Sequence, residues 1–123
     1  MTASEQIAAF LNFARDAGSK YSMARQDEEQ ANLETQDILH SLEIHAHPYN
    51  KKAKLAGVLV EVRRRRRVAK DTTDVYAPIA DWVEENKPVI KSLERLLGEV
   101  RKAETIQKNR CYINRTSILE EEK

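Results

Sequence analysis

The sequence predicts an all-α fold: a long antiparallel helical hairpin with additional packed helices, associated as an oligomeric bundle. Among the 123 residues there are only three glycines and three prolines, and 33% of the residues are charged. This composition is typical of a helix-rich chain with few loops. Along most of the chain, apolar residues recur at alternating intervals of three and four, as one face of an amphipathic helix requires. A chain of this length is expected to form a single domain, residues 1–123, with a modest core.

An N-terminal helix is predicted over residues 1–18. Thr2 and Glu5 have the spacing of a capping box, and a stripe of apolar residues follows them (Ile7, Phe10, Leu11 and Ala14). The segment Ala17-Gly18-Ser19 interrupts this pattern, because glycine costs about 1 kcal/mol in a helix relative to alanine. We therefore expect the helix to bend or break there.

A helical hairpin is predicted over residues 21–76. Its turn is placed at residues 47–50, because Pro48 lacks an amide donor and restricts the residue before it. Two seams of regularly spaced residues flank this turn (Ala24, Glu28, Ala31, Thr35, Ile38 and Leu42; then Leu55, Leu59, Val62, Arg66, Ala69, Thr73 and Tyr76). In an antiparallel register Ile38 meets Leu59 and Ala31 meets Arg66. Few seam residues are large, so a second subunit is expected to cover the remaining apolar surface in a homo-oligomer.

Further helices are predicted over residues 78–108, followed by an arm and tail over residues 109–123. Pro78 predicts a boundary, and Asn86-Lys87-Pro88 is typical of a helix start with proline in its first turn. A new apolar stripe then begins (Val89, Leu93, Leu96, Val100 and Ala103). Gly98 lies within this helix and indicates either a close helix crossing or a surface position.

Charge is strongly segregated along a chain whose net charge is only +1. Residues 26–50 contain six acids and no lysine or arginine, whereas residues 51–70 contain nine bases and one acid. Five consecutive arginines, Arg63 to Arg67, wrap more than one full helical turn, so at least one must lie at the packed seam and needs a partner. The seam spacing selects Arg66 and predicts a structural ion pair with Glu28.

Three interpretations of the basic helix stay open. It is a salt-bridged, solvated face, a phosphate-binding surface, or a surface for an acidic protein partner. Guanidinium forks suit phosphate, a dense positive field attracts polyanions, and tyrosine can stack on a base. The candidate ligand-binding residues are Arg63, Arg64, Arg67, Lys70, Arg110, Tyr112 and Arg115.

No catalytic residue, metal site or cofactor is predicted. The chain contains no glycine-rich phosphate loop, nucleophile elbow or zinc-protease helix motif, so we do not expect an enzyme. His40, His45 and His47 are interpreted as complementing a helix C-terminus rather than binding a metal. Cys111 is the single cysteine, suits a reducing cytoplasm, and is predicted to be a buried small residue. No membrane partner is expected, because no apolar run reaches about 18 residues and the N-terminus does not have the pattern of a secretory signal.

Residues 35–115 resemble a family of short helical accessory proteins from temperate phages and prophages of Firmicutes. The similar segments are Thr35 to Glu43, Val62 to Asp71, Leu97 to Lys102, and Asn109-Arg110 with Tyr112 and Arg115. In that family proline often follows the tyrosine, whereas Ile113-Asn114 stands here. The resemblance implies a phage accessory protein in the host bacterial cytoplasm, with an anti-defence or host-takeover role. A protein of this kind is expected to bind nucleic acid or a nucleotide immune signal without catalysis. Alternatively, it is a stoichiometric protein–protein inhibitor of a host defence enzyme such as a CRISPR nuclease.

Overall fold

The computed structural model describes residues 1–111 and 115–118. This part of the chain contains three helices, α1 (Ala3–Ile44), α2 (Tyr49–Glu85) and α3 (Lys87–Lys108), and no strand. The all-α prediction is therefore confirmed. Of the predicted C-terminal arm and tail, residues 112–114 and 119–123 lie outside the described residues.

Helix α1 begins at the predicted capping box and then continues without interruption. The Thr2 hydroxyl accepts from the Glu5 amide at 3.2 Å, and the Glu5 carboxylate accepts from the Thr2 amide at 3.2 Å. The predicted break at residues 17–19 is wrong, because α1 runs through Gly18 to Ile44. Ala17 is completely buried, and tertiary packing of this turn outweighs the propensity cost of about 1 kcal/mol for one exposed glycine.

Helix α2 extends beyond both ends of its predicted range. It begins at Tyr49, directly after Pro48, so the observed loop is shorter on this side than the predicted turn at residues 47–50. The predicted boundary at Pro78 is wrong, since α2 includes this proline and ends at Glu85. A proline leaves the carbonyl four residues earlier without its helical donor. Here that carbonyl belongs to Asp74, and both residues are exposed, so water can hydrate it.

The two longest helices contact each other through the predicted seams. Every seam residue of α1 and α2 is buried or half-buried, which confirms the predicted faces. Lys20 Nζ donates to the Tyr76 hydroxyl at 3.4 Å, and Arg66 Nε donates to Asn32 Oδ1 at 2.8 Å. Later residues of α1 thus meet earlier residues of α2, and α1 becomes the central helix to which α2 and α3 are attached.

The main core lies at the N-terminal end of α1, where α3 packs. Leu11 and Ala14 form a cluster with Ile90 and Leu97 of α3, and partly buried apolar residues surround it (Ile7, Ala8, Val83 and Leu93). A salt bridge of 3.1 Å between Arg15 and Glu94 spans the same helix pair. At this end of the molecule, α1 is therefore packed against α3 as well as α2.

The buried face of α3 differs from the predicted stripe. Proline in the first turn is confirmed at Pro88, but Val89 and Leu96 are exposed while Ile90 and Leu97 are buried. The packed line therefore lies between the predicted stripe and the adjacent line of Ile90 and Leu97, because Leu93 and Val100 of the predicted stripe are half-buried. A Cβ added at Gly98 would meet no atom within 4 Å, so this glycine occupies a surface position and not a close crossing.

Candidate phosphate-binding site

The five consecutive arginines of α2 divide into two groups by what they contact. Arg65 forms an ion pair with Glu34 of α1. Arg66 is half-buried, whereas the other four arginines are exposed. The division follows from the 100° rotation per residue of a helix, which turns Arg65 and Arg66 toward α1 and the remaining three away from it.

Arg66 is bound at the seam by two neighbours on α1. Its Nε donates to Asn32 Oδ1 at 2.8 Å, and its Nη2 lies 4.0 Å from Glu28 Oε1. The side chains of Arg66 and Glu28 are only 24% and 23% exposed. Ala31, next to Asn32 in α1, is completely buried, and a small residue there leaves room for the guanidinium. The arrangement satisfies a partly buried charge, as such a position requires.

Arg63, Arg64 and Arg67 lie together in a shallow depression of about 440 Å³. Leu59, Val60 and Arg66 complete its lining. None of the ion pairs found within the described residues involves Arg63, Arg64 or Arg67. Exposed guanidiniums without a carboxylate partner retain their hydrogen-bond donors for an external anion. The depression is thus a concentrated, unneutralised positive surface.

The other four candidate ligand residues are not part of this depression. Lys70 follows Arg67 by three residues on the same helix and is half-buried. Arg110 and Arg115 are exposed beyond the end of α3, and no hydrogen bond or salt bridge of the described residues joins them to α2. Tyr112 lies outside the described residues.

A second basic depression lies on α3. Arg95, Arg101 and Lys102 line it together with Gly98, Glu99, Thr105 and Ile106. Arg101 and Lys102 are neighbours in the sequence. Arg95 lies on the same surface because residues at intervals of three and four share one face of a helix. Glu99 lies among these bases, so the local charge is less uniform than on α2.

The structure also contains an apolar groove that the sequence did not predict. Phe10, Phe13 and Ala14 of α1 face Pro78, Ile79, Trp82 and Val83 of α2 across a volume of about 330 Å³. Phe10 and Trp82 are each 43% exposed, although Phe10 belongs to the predicted core stripe of the first helix. The available signal was the short apolar stripe of Ile79, Trp82 and Val83 directly after Pro78.

The histidines and the cysteine take simple roles. His47 Nε2 is 2.9 Å from the Ser41 hydroxyl, which ties the loop to the end of α1, and His45 is the C-cap residue of that helix. Among the described residues, no group of three or more His, Cys, Asp or Glu is arranged to hold a metal ion. Cys111 is exposed, so its predicted burial is wrong. It lies past Lys108, where α3 and its packing surface have ended.

Comparison with protein-family models, with curated proteins and with solved structures finds no match to this chain. The likeness to phage accessory proteins therefore stays a prediction from the sequence. Within residues 1–111 and 115–118, no helix has both the length and the apolar character needed to cross a bilayer.

Proposed function

We propose that this protein binds a phosphate-rich ligand, either nucleic acid or a nucleotide immune signal, through helix α2 and without catalysing a reaction. One observation carries the proposal. Arg63, Arg64 and Arg67 share an exposed depression, while Arg65 and Arg66 are engaged by acidic and amide side chains of α1. The acids of α1 therefore neutralise one side of α2 and leave the other side for a ligand.

A ligand with several phosphates fits this surface better than a metabolite with a single carboxylate or an apolar ligand does. Each guanidinium offers a planar fork of donors that matches phosphate oxygens. Three neighbouring forks along one helix suit a ligand with repeated phosphates. Lys70 extends the line, because Arg63, Arg67 and Lys70 follow one another at intervals of four and three residues. The shallow shape favours a backbone or a linked nucleotide over a small buried molecule.

The C-terminal bases are included in the proposed ligand surface as an extension. Arg110 and Arg115 are exposed and supply two more guanidiniums for a ligand longer than the depression on α2. Tyr112 is proposed from the sequence alone to stack on a base. An anti-defence or host-takeover role in the host bacterial cytoplasm is proposed from the sequence resemblance and from the use of a single cysteine.

We further propose that α1 and α2 form an antiparallel hairpin in the register that pairs Ile38 with Leu59, and that copies of the chain associate. Two contacts support the hairpin. Lys20 of α1 contacts Tyr76 of α2, whereas Asn32, later in α1, contacts Arg66, earlier in α2. The small seam residues and the exposed apolar groove support association, because small residues bury little apolar area and an exposed apolar patch is typical of an interaction site.

The alternative function is stoichiometric inhibition of a host defence enzyme, such as a CRISPR nuclease, by direct protein contact. The groove between Phe13 and Trp82 supports this alternative, since exposed aromatic residues in a concave apolar surface are typical of protein interfaces. The two functions predict different dependence on salt. Phosphate binding releases counterions and weakens steeply as salt rises, whereas an apolar contact does not.

The test is charge reversal of two arginines that share one face of α2. Arg63→Glu with Arg67→Glu should abolish binding of a fluorescent single-stranded DNA and of a cyclic oligonucleotide. The matched control is Lys91→Glu with Arg95→Glu on α3, because these exposed residues have the same spacing of four and undergo the same change in charge. Binding that survives the α2 reversal in a protein of unchanged helicity, or that is lost only in the α3 control, would overturn the proposal.

A further inference from the structure

Helix α2 has a second regular stripe, which lies beside its seam with α1 and not on it. Val68 and Thr72 border a depression together with residues of α1, and Ile79 and Trp82 line the apolar groove with other residues of α1. Val68, Val75 and Trp82 repeat at intervals of seven residues and are 67%, 60% and 43% exposed. Thr72 and Ile79 lie between them and are half-buried, which completes an alternation of four and three residues. This spacing is that of a helix seam made to pack against another helix. No part of the described chain covers it, since Val68 and Val75 remain mostly accessible to solvent.

The stripe is continuous with the apolar groove of the molecule. Ile79 and Trp82 belong to both, and the groove lining consists only of apolar residues contributed by α1 and α2. An exposed apolar surface of this extent marks an interaction site in a protein of this size. From Val68 to Trp82 the stripe runs about 21 Å, at a rise of 1.5 Å per residue. It therefore offers a contact as long as an ordinary helix.

Charge identifies the occupant of the stripe. Residues 51–70 contain nine bases and one acid, and residues 71–85 contain five acids and no base (Asp71, Asp74, Asp81, Glu84 and Glu85). Helix α2 is thus positive in its first half and negative in its second half. Two copies of α2 aligned in the same direction would bring like charges together. Two copies aligned in opposite directions bring the basic half of each against the acidic half of the other.

We propose that the stripe is the interface with a second copy of this chain, in which the two α2 helices pack antiparallel about a two-fold axis. Such an interface uses the same surface on both subunits. Seam packing places Thr72 of one copy beside Val75 of the other and Val68 beside Ile79. Trp82 then meets Arg65 of the second copy, where a guanidinium can lie on the indole face.

One register satisfies both the apolar and the charged positions. In the register that joins Val68 to Ile79, the flanking residue Arg64 lies next to Glu85 of the second copy, and the two-fold axis produces this pair twice. A shift of one heptad would set Val68 against Asn86 and Asp71 near Glu85, which exchanges an apolar contact for a polar one and an attraction for a repulsion. Arg63 and Lys70 lie about 140° and about 160° around the helix from the centre of the stripe and stay free for a ligand.

This inference rests on the proposed self-association. It places Arg64, which also lines the proposed ligand surface, at the edge of the interface, so it is tested without a ligand. The experiment uses paired cysteines in the full chain with Cys111→Ser. The variant Val68→Cys with Ile79→Cys should form a covalent dimer under mild oxidation. Each cysteine is about 16 Å from the other on its own helix, which exceeds the reach of a disulfide within one chain. In the antiparallel dimer each cysteine meets its counterpart on the second copy.

The single variants Val68→Cys and Ile79→Cys are the matched controls and should not crosslink. Their own counterparts lie about 16 Å along the helix in the antiparallel register. Efficient crosslinking of either single variant would indicate parallel packing and overturn the proposal, as would the absence of a covalent dimer in the double variant. A wild-type chain that sediments as a monomer removes both the association and this interface. A dimer that the double variant cannot crosslink removes only the interface.

Discussion

Replacement of Arg66 by alanine should destabilise the fold more than any other single change among the five arginines. It removes the 2.8 Å hydrogen bond from Nε to Asn32 and the 4.0 Å contact with Glu28. A hydrogen bond involving a charged group contributes about 1.5–3 kcal/mol, and the partial exposure of Arg66 favours the lower end of that range. A loose, half-buried ion pair adds roughly 0.5 kcal/mol. We expect Arg66→Ala to lower the free energy of unfolding by about 2 kcal/mol.

The assay is thermal unfolding followed by circular dichroism. With an unfolding entropy of about 2.1 cal/mol/K per residue, a chain of 123 residues should lose roughly 8 °C in Tm for 2 kcal/mol. Arg64→Ala is the matched control, because Arg64 is exposed and forms no ion pair among the described residues. It should change stability by less than about 0.5 kcal/mol. Equal melting temperatures for the two variants would refute the assignment of Arg66 to the seam.

Three further predictions concern the core, a helix surface and the hairpin. Leu11→Ala should cost about 2–5 kcal/mol in urea unfolding, because Leu11 is completely buried and its removal leaves a cavity; a loss no larger than that of exposed Leu33→Ala would contradict this. Gly98→Ala should stabilise the protein by about 1 kcal/mol, since the added Cβ has open space, and a lower Tm would count against it. Ile38→Cys with Leu59→Cys, without the native cysteine, should form a disulfide within one chain; failure to form it would reject the proposed register.

The faces of the two long helices were predictable because their periodicity is strict. Ala24, Ala31 and Thr35 recur with seam spacing, and all three are buried. Small residues give little area, but they allow two helix backbones to approach closely over many turns. The same logic identified Arg66, because a regular seam leaves only one of five consecutive residues on its centre line. A regular and uninterrupted spacing of seam residues therefore predicts which face of a helix is packed, even from a single sequence.

The ends of the helices were less predictable, because local cost and tertiary gain compete there. Gly18 and Pro78 both disfavour helix locally, and the structure continues through each of them. Burial of Ala17 compensates for the first, and solvation of the exposed Asp74 carbonyl compensates for the second. Neither effect can be predicted from the neighbouring residues in the sequence. The face of α3 was predicted only in part for a related reason: two adjacent apolar lines are present, and packing on α1 buries Ile90 and Leu97 in place of Val89 and Leu96.

The candidate site was only partly accessible from the sequence. The arginine run was evident, and the seam register separated Arg66 from its neighbours. The pairing of Arg65 with Glu34 and the shared depression of Arg63, Arg64 and Arg67 required the relative rotation of α1 and α2. The sequence did not predict the stripe of Val68, Val75 and Trp82. On a helix that already has one seam, two further valines have the same pattern as isolated exposed residues.

The salt dependence of ligand binding is the sharpest test of phosphate recognition by α2. Binding of a fluorescent single-stranded DNA should be measured at about 50 and about 200 mM salt. For three phosphate contacts on a single strand, this fourfold rise in salt should weaken binding about 20-fold. Wild-type protein should lose at least this factor in affinity between the two salt concentrations. Arg63→Glu with Arg67→Glu should bind too weakly to titrate, and the α3 control should keep the wild-type slope. A wild-type affinity that does not change with salt, or a double reversal with the wild-type slope, would contradict the account.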